Sequence, residues 1–349
     1  MIDERYPLAT EGEGPLLVVE DLQTSFRTER GTLRAVDGVS FTLEQGRTLG
    51  IVGESGSGKT VLARSVMGLL KGDNVKQSGS VRFEGTELLG ASARTLRSLW
   101  GARIAMVFQD PMTSLNPVMR IGRQIAESLQ LHLGLDRGEA RATAVSLLSQ
   151  VGISTPEERA RAYPGQLSGG MRQRVVIAIA IACAPRLLLA DEPTTGLDAT
   201  VQAQILDLLA SLQADRRMAM ILVTHDLGVV ATRTDDIAVM YAGRIVERAP
   251  TPKLFSAMAM PYTEALLGST PRLNAPGHAK LAAIEGRPPD PYSTPPGCPF
   301  APRCRYAQNR CREQAPPLVA SSDPDHLFAC WYPLGNRTGP EPAPAGATQ

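Results

Sequence analysis

The chain has 349 residues, more than one ordinary domain needs, so a large α/β domain with an appendage is the expectation. Its 36 basic and 35 acidic residues leave a net charge of +1, which excludes a global field of the kind that gathers nucleic acid, so any partner must be recognised locally. No apolar run reaches the roughly 18 residues that cross a bilayer, and the opening Asp3, Glu4 and Arg5 are not a secretion core; the expectation is a soluble, cytoplasmic protein.

Residues 1–14 read as a flexible polar lead. Strand patterns follow at Leu16 to Glu20, Leu22 to Arg27 and Val36 to Leu43, with Gly31 and Gly38 as turn signals, and predict a small antiparallel β subdomain. Phe26 within it has a face on which adenine can stack, or is an ordinary core aromatic; the pattern leaves both open.

Arg47 to Gly53 reads as a buried strand, and Val61 to Leu70 carries apolar residues at helical spacing. Between them Gly53, Glu54, Ser55, Gly56, Ser57, Gly58, Lys59 and Thr60 fit the phosphate-loop pattern G-x-x-x-x-G-K-[ST]. The glycines let backbone N–H groups and a helix N-terminus converge on phosphate oxygens. Lys59 would reach the β- and γ-phosphates, and the Thr60 hydroxyl would ligate Mg²⁺.

Ser78 to Glu84 predicts a further short strand, and Ile104 to Gln109 a buried one whose polar end lies where ligands sit in open α/β sheets. Gln109 there can meet Mg²⁺ or the attacking water. From about Ile121 to Gln150 the periodicity is helical, part of a helical subdomain over about residues 110–175. Ser168, Gly169 and Gly170 open a strong helix and form a second anion site; one chain with one triphosphate needs no second site, so this one suits a nucleotide held by a partner.

Arg186 to Asp191 predicts a buried parallel strand ending in paired acids, Asp191 suited to Mg²⁺ through water and Glu192 to polarising the hydrolytic water. A helix from about Ala199 to Asp215 and a strand from Met218 to Thr224 follow, and His225 at the strand end can hydrogen-bond the γ-phosphate. Val239 to Glu247 predicts a terminal hairpin turning at Gly243.

Cys183 falls on a buried helical run and reads as a small core residue. Cys298, Cys304, Cys311 and Cys330 follow the spacing C-x5-C-x6-C-x18-C, and four thiolates can hold a [4Fe-4S] cluster or a tetrahedral Zn²⁺; the spacing dictates neither. Arg303, Arg305, Arg310 and Arg312 interleave with them and can offset thiolate charge.

Together these residues resemble the nucleotide-binding subunit of an ATP-binding cassette transporter over about residues 16–265. Gly53 to Thr60 match its Walker A, Gln109 its Q-loop, Leu167 to Arg174 its signature, Leu187 to Glu192 its Walker B, Gly196 to Asp198 its D-loop and His225 its switch histidine. Gln109 to Pro117 resembles the extended Q-loop of importer ATPases for di- and oligopeptides and nickel, and Pro261 to Leu267 with Gly297 to Ala307 is similar to the D-type peptide-importer subunit.

The resemblance implies a P-loop ATPase core in residues 15–265, a proline-rich connector in 266–297, a four-cysteine metal region in 298–334 and a disordered tail in 335–349. It implies ATP and Mg²⁺ as cofactors and favours the iron–sulfur cluster over zinc. Two cassettes would sandwich ATP head to tail, each facing the other's Ser168, Gly169 and Gly170, and Asp198 of the D-loop counts among the nucleotide-binding residues. The implied partners are a paralogous cassette, two membrane permeases and, indirectly, a substrate-binding protein, at the cytoplasmic face of the inner membrane and without nucleic acid. The rival readings are a soluble cassette ATPase acting on ribosomes or nucleic acid, and an importer of nickel or another small solute.

Overall fold

The computed structural model describes residues 14–269, 284–293 and 295–335. Nearly all of the expected lead, much of the connector and all but the first residue of the expected tail lie outside the described residues.

Two sheets are built. The first is antiparallel, from β1 (Leu17–Thr28), β2 (Gly31–Leu43), β4 (Val75–Phe83) and β5 (Thr86–Glu87), in the order β2-β1-β4-β5. The two strands expected before Thr28 are one strand, because the chain absorbs an irregularity at Asp21, whose φ is 44°, instead of turning. Gly38, expected at a turn, lies inside β2 opposite that irregularity, and the reversal comes at Glu29 and Arg30.

The second sheet has eight strands. β3 (Thr48–Val52), β6 (Ile104–Val107), β7 (Leu187–Asp191), β8 (Ala219–Thr224) and β9 (Asp236–Tyr241) run parallel in the order β9-β3-β8-β7-β6. Their unbroken apolar runs suit burial on both faces. Ile51, Leu189, Ile221 and Ala238 point into a core shared with the antiparallel sheet and helix Lys59–Val66. Their alternating neighbours Val52, Leu188, Leu222 and Val239 pack under the long helices. The expected helical run divides at Gly134 into Ile121–Leu133 and Arg137–Gln150, the latter opened by an Asp136/Glu139 capping box, and both pack with helix Gly169–Ile181.

β10 (Arg244–Pro250) returns antiparallel to β9 through a turn with positive φ at both Ala242 and Gly243. The hairpin is not terminal. β12 (Leu327–Phe328) adds to β10 and β11 (Val319–Ala320) to β12, so the cysteine-bearing segment extends the nucleotide-site sheet. Beneath this junction the buried Glu247 carboxylate accepts from the Ala259 and Met260 N–H groups and lies 2.8 Å from His326 Nε2. Among the described residues no helix is long and apolar enough to cross a membrane.

Candidate active site

The carboxyl ends of neighbouring parallel strands carry the chemistry. β3 leads into Gly53 to Thr60, β7 ends in Asp191 and Glu192, β8 is followed by His225, and Gln109 lies just beyond β6. The phosphate loop needs its small residues because other backbone crowds it. A Cβ on Gly58, where φ is 101°, would stand 2.2 Å from the Ala35 carbonyl oxygen.

Lys59 opens its helix almost wholly buried, its Nζ donating to the carbonyls of Gly53 at 2.8 Å and Glu54 at 3.0 Å and lying 3.9 Å from Glu192 Oε1. Burial pulls its pKa below the ordinary lysine value, against the pull of Glu192, Asp191 and Glu54.

The fully buried Asp191 accepts from the Thr60 hydroxyl at 3.0 Å through Oδ1, while its Oδ2 is buried without a hydrogen-bond partner. Burial raises its pKa, and the Thr60 bond opposes the rise. A carboxylate with one orphaned oxygen beside a hydroxyl is the donor set that a hard divalent cation satisfies, so these residues fit Mg²⁺.

Glu192 is the focus of the cluster. Gln109 Nε2 and Thr195 Oγ1 each donate to its Oε2 at 3.1 Å, and His225 Nδ1 lies 3.6 Å from the same oxygen. Its backbone is left-handed, with φ of 44°. The candidates Lys59, Thr60, Gln109, Asp191, Glu192 and His225 therefore converge.

Other candidates lie apart. Ser168 caps its helix by accepting from the Met171 N–H at 3.3 Å, and Asp198 caps helix Ala199–Arg216 by accepting from the Val201 N–H at 3.0 Å. Gly169 and Gly170 pack closely on Leu197 and Val201, and among the described residues no hydrogen bond or ion pair joins this group to the phosphate loop. Ser55, Gly56 and Ser57 remain in the loop, with Ser57 Oγ buried and unpartnered. Phe26 is half-buried on β1, opposite Leu33 and Val75. The Glu54 carboxylate accepts from Arg303, a contact that sequence reasoning missed.

Cys298, Cys304, Cys311 and Cys330 line one cavity of about 20 Å³, together with Phe300, Trp331 and other side chains. Burial raises the thiol pKa of Cys298, and that of Cys330 to about 12, with the neighbouring thiols adding to the rise. Among the described residues, nevertheless, no three His, Cys, Asp or Glu side chains are gathered as ligands of one metal ion. Three of the four interleaved arginines turn elsewhere: Arg303 to Glu54, Arg305 to Glu264 at 3.0 Å, and Arg310 over the Trp331 ring at 3.5 Å. Cys183 sits in the main core, burial pushing its thiol to about 11.

Comparison with known proteins agrees with this geometry. The pattern of the family described as ABC transporter matches residues 36–195, and that of the oligopeptide/dipeptide transporter C-terminal region matches residues 246–311. The chain is 48% identical over 317 residues to the dipeptide transport ATP-binding protein DppD of Bacillus subtilis, covering 90% of this chain and 94% of that one. It is likewise 48% identical to the oligopeptide transport ATP-binding protein OppD of Salmonella typhimurium, covering 93% and 97%. Among solved structures, the dimeric post-hydrolysis ATP-binding cassette MJ0796 with ADP and Pi superposes with a TM-score of 0.61 at 25% identity, covering 67% of this chain and 98% of that one. The cbiO1 structure from Clostridium perfringens superposes with a TM-score of 0.59 at 28% identity, covering 70% and 92%.

Proposed function

Since the chain belongs to the ABC transporter family, among its dipeptide and oligopeptide transport ATP-binding proteins, we propose that it hydrolyses ATP to drive import of di- and oligopeptides through membrane permease subunits. The observation that carries the catalytic part is the convergence of Gln109, Thr195 and His225 on Glu192, beside Lys59 and the Thr60–Asp191 pair.

In this reading Gly53 to Thr60 wrap the phosphates, Lys59 neutralises their charge, and Thr60, Asp191 and Gln109 would hold Mg²⁺. When bound, that ion supplies charge neutralisation on the phosphate oxygens. Glu192 accepts the proton of the attacking water, and His225 fixes the γ-phosphate against it. Phe26 supports the adenine.

Among the described residues no hydrogen bond or ion pair joins Ser168, Gly169, Gly170 or Asp198 to their own chain's phosphate loop, which supports a role toward the nucleotide of a second cassette. MJ0796, a similar cassette, is itself dimeric. We assign residues 15–265 to the cassette and place it at the cytoplasmic face of the inner membrane, with a paralogous cassette, two permeases and indirectly a substrate-binding protein as partners. The surface for the permeases is the loop around Gln109 to Pro117. There Met112 is 60% and Val118 83% exposed, and Arg172 bridges Met112 Sδ to the Pro164 carbonyl.

We assign the four cysteines of residues 298–334 to a [4Fe-4S] cluster. Their sharing of one cavity supports a common ligand, while the small size of that cavity is the observation favouring a single Zn²⁺. Metal analysis of anaerobically purified protein separates them: about four irons per chain with matching sulfide is expected, and one zinc contradicts the cluster. Glu192→Gln is expected to leave ATP binding intact, lower turnover by at least about a hundredfold and accumulate a closed cassette dimer. Normal turnover in that variant removes Glu192 from the base role.

A further inference from the structure

Arg303 lies in the short turn Ala301–Arg303 between Cys298 and Cys304, yet its side chain leaves that segment and ends at the phosphate loop, only 3% exposed. All five guanidinium N–H donors are used. Nη1 donates to Glu54 Oε2 at 2.6 Å and Tyr241 Oη at 3.3 Å, and Nη2 to Glu54 Oε1 at 2.9 Å and the Ile284 carbonyl at 3.1 Å. Nε donates to the Glu285 carbonyl at 2.9 Å. The fork is bidentate, so it fixes the orientation of Glu54 as well as its charge.

Glu54 is held at three points. Its side chain meets Arg303, its N–H donates to Tyr262 Oη at 2.8 Å, and its carbonyl accepts from Lys59 Nζ. Tyr262 is fully buried, and its ring packs 4.5 Å from Tyr241 and 5.3 Å from Phe300, the residue that leads into the Arg303 turn. The loop that must present its N–H groups to phosphate is thus backed by a rigid block, half of which comes from the cysteine segment. A glycine-rich loop ordered before its ligand arrives loses less conformational freedom on binding.

We propose that Arg303 is a positioning residue for the nucleotide. Through Glu54, with Tyr262 as a second support, the cysteine segment pre-orders the phosphate loop, so that nucleotide affinity and the order of that segment are coupled. The proposal rests on reading Gly53 to Thr60 as the ATP site. Coupling of this kind is reciprocal: ATP must tighten the cysteine segment by the factor by which the segment tightens ATP.

The test is equilibrium ATP binding to the full chain and to its Arg303→Ala, Glu54→Gln and doubly substituted forms. Hydrogen exchange of residues 298–330 is followed with and without ATP. Each single substitution is expected to weaken ATP binding by on the order of tenfold, and the double form no further. Arg303→Lys should restore part of the affinity, because it keeps the charge without the fork. ATP should slow exchange in the cysteine segment of the wild type and not of Arg303→Ala. If Arg303→Ala does not fold, Tyr262→Phe, which removes one hydroxyl, and Arg303→Lys carry the same comparison. Wild-type affinity in these variants, or losses that multiply in the double form, overturns the proposal. Failure of the wild type to bind ATP overturns the reading beneath it.

Discussion

Asp191 and Glu192 are adjacent acids with opposite surroundings. Asp191 is fully buried with one oxygen unsatisfied, whereas Glu192 accepts from two neighbouring side chains. With its pKa raised by burial, folded Asp191 binds a proton more readily than the unfolded chain does. The nucleotide-free protein should therefore gain stability as pH falls through that raised value toward the ordinary aspartate range, and lose it as pH rises back through it. Asp191→Asn removes the buried charge, so at neutral pH its nucleotide-free stability should equal or exceed that of wild type, by about 1–3 kcal/mol at most. That variant should lose the extra stabilisation given by Mg²⁺ with nucleotide. Thermal denaturation with and without Mg-ATP checks both, and retention of the Mg²⁺-dependent rise contradicts the assignment.

Residues at this scale were legible when their meaning is local. Gly53 to Thr60, the Asp191–Glu192 pair and His225 announce themselves because a strand end, a glycine turn or a helix start is written in the adjoining residues. Arg303 and Tyr262 were not, because they reach Glu54 across 249 and 208 positions and each looks ordinary in its own stretch. Arg303 was legible only as one of several arginines among cysteines, since nothing local distinguishes a guanidinium that faces a thiolate from one that faces a distant carboxylate.

Among elements, the parallel strands and the long helices follow from continuous apolar runs and helical spacing. The errors fell where tertiary pairing overrides a local turn signal. Asp21 and Gly38 look like breaks but are accommodated inside long antiparallel strands. β11 and β12 are two residues each and exist only because β10 presents an edge. Their junction depends on His326, nearly buried against the fully buried Glu247. His326→Ala removes one partner of that carboxylate while the Ala259 and Met260 N–H groups remain, and should cost about 2 kcal/mol. Urea denaturation checks the loss. Faster hydrogen exchange confined to the Glu247 and Phe328 strands and the Met260 turn locates it, and an unchanged midpoint contradicts the clamp.

For the molecule as a whole, the carboxyl region is part of the cassette's own sheet and touches its phosphate loop, so nucleotide chemistry and the cysteine segment share one mechanical unit. Gln109 donates to Glu192, and the segment that follows it in the chain carries the exposed Met112 and Val118. On the proposed reading, a permease docked on that segment would sense the nucleotide through Gln109. Fold class and family were legible from six ordered motifs. The carboxyl region's union with the sheet was not, because a two-residue strand carries no periodicity of its own.

ATP hydrolysis by this chain is harnessed to peptide movement. The most direct measurement is ATP hydrolysis by the chain assembled with its membrane subunits and second cassette in vesicles, together with uptake of labelled peptide, with and without the substrate-binding protein. Peptide-loaded binding protein is expected to accelerate hydrolysis, and peptide to accumulate only when ATP is hydrolysed, both effects being lost with Glu192→Gln. Hydrolysis indifferent to peptide but stimulated by ribosomes or nucleic acid would contradict that coupling.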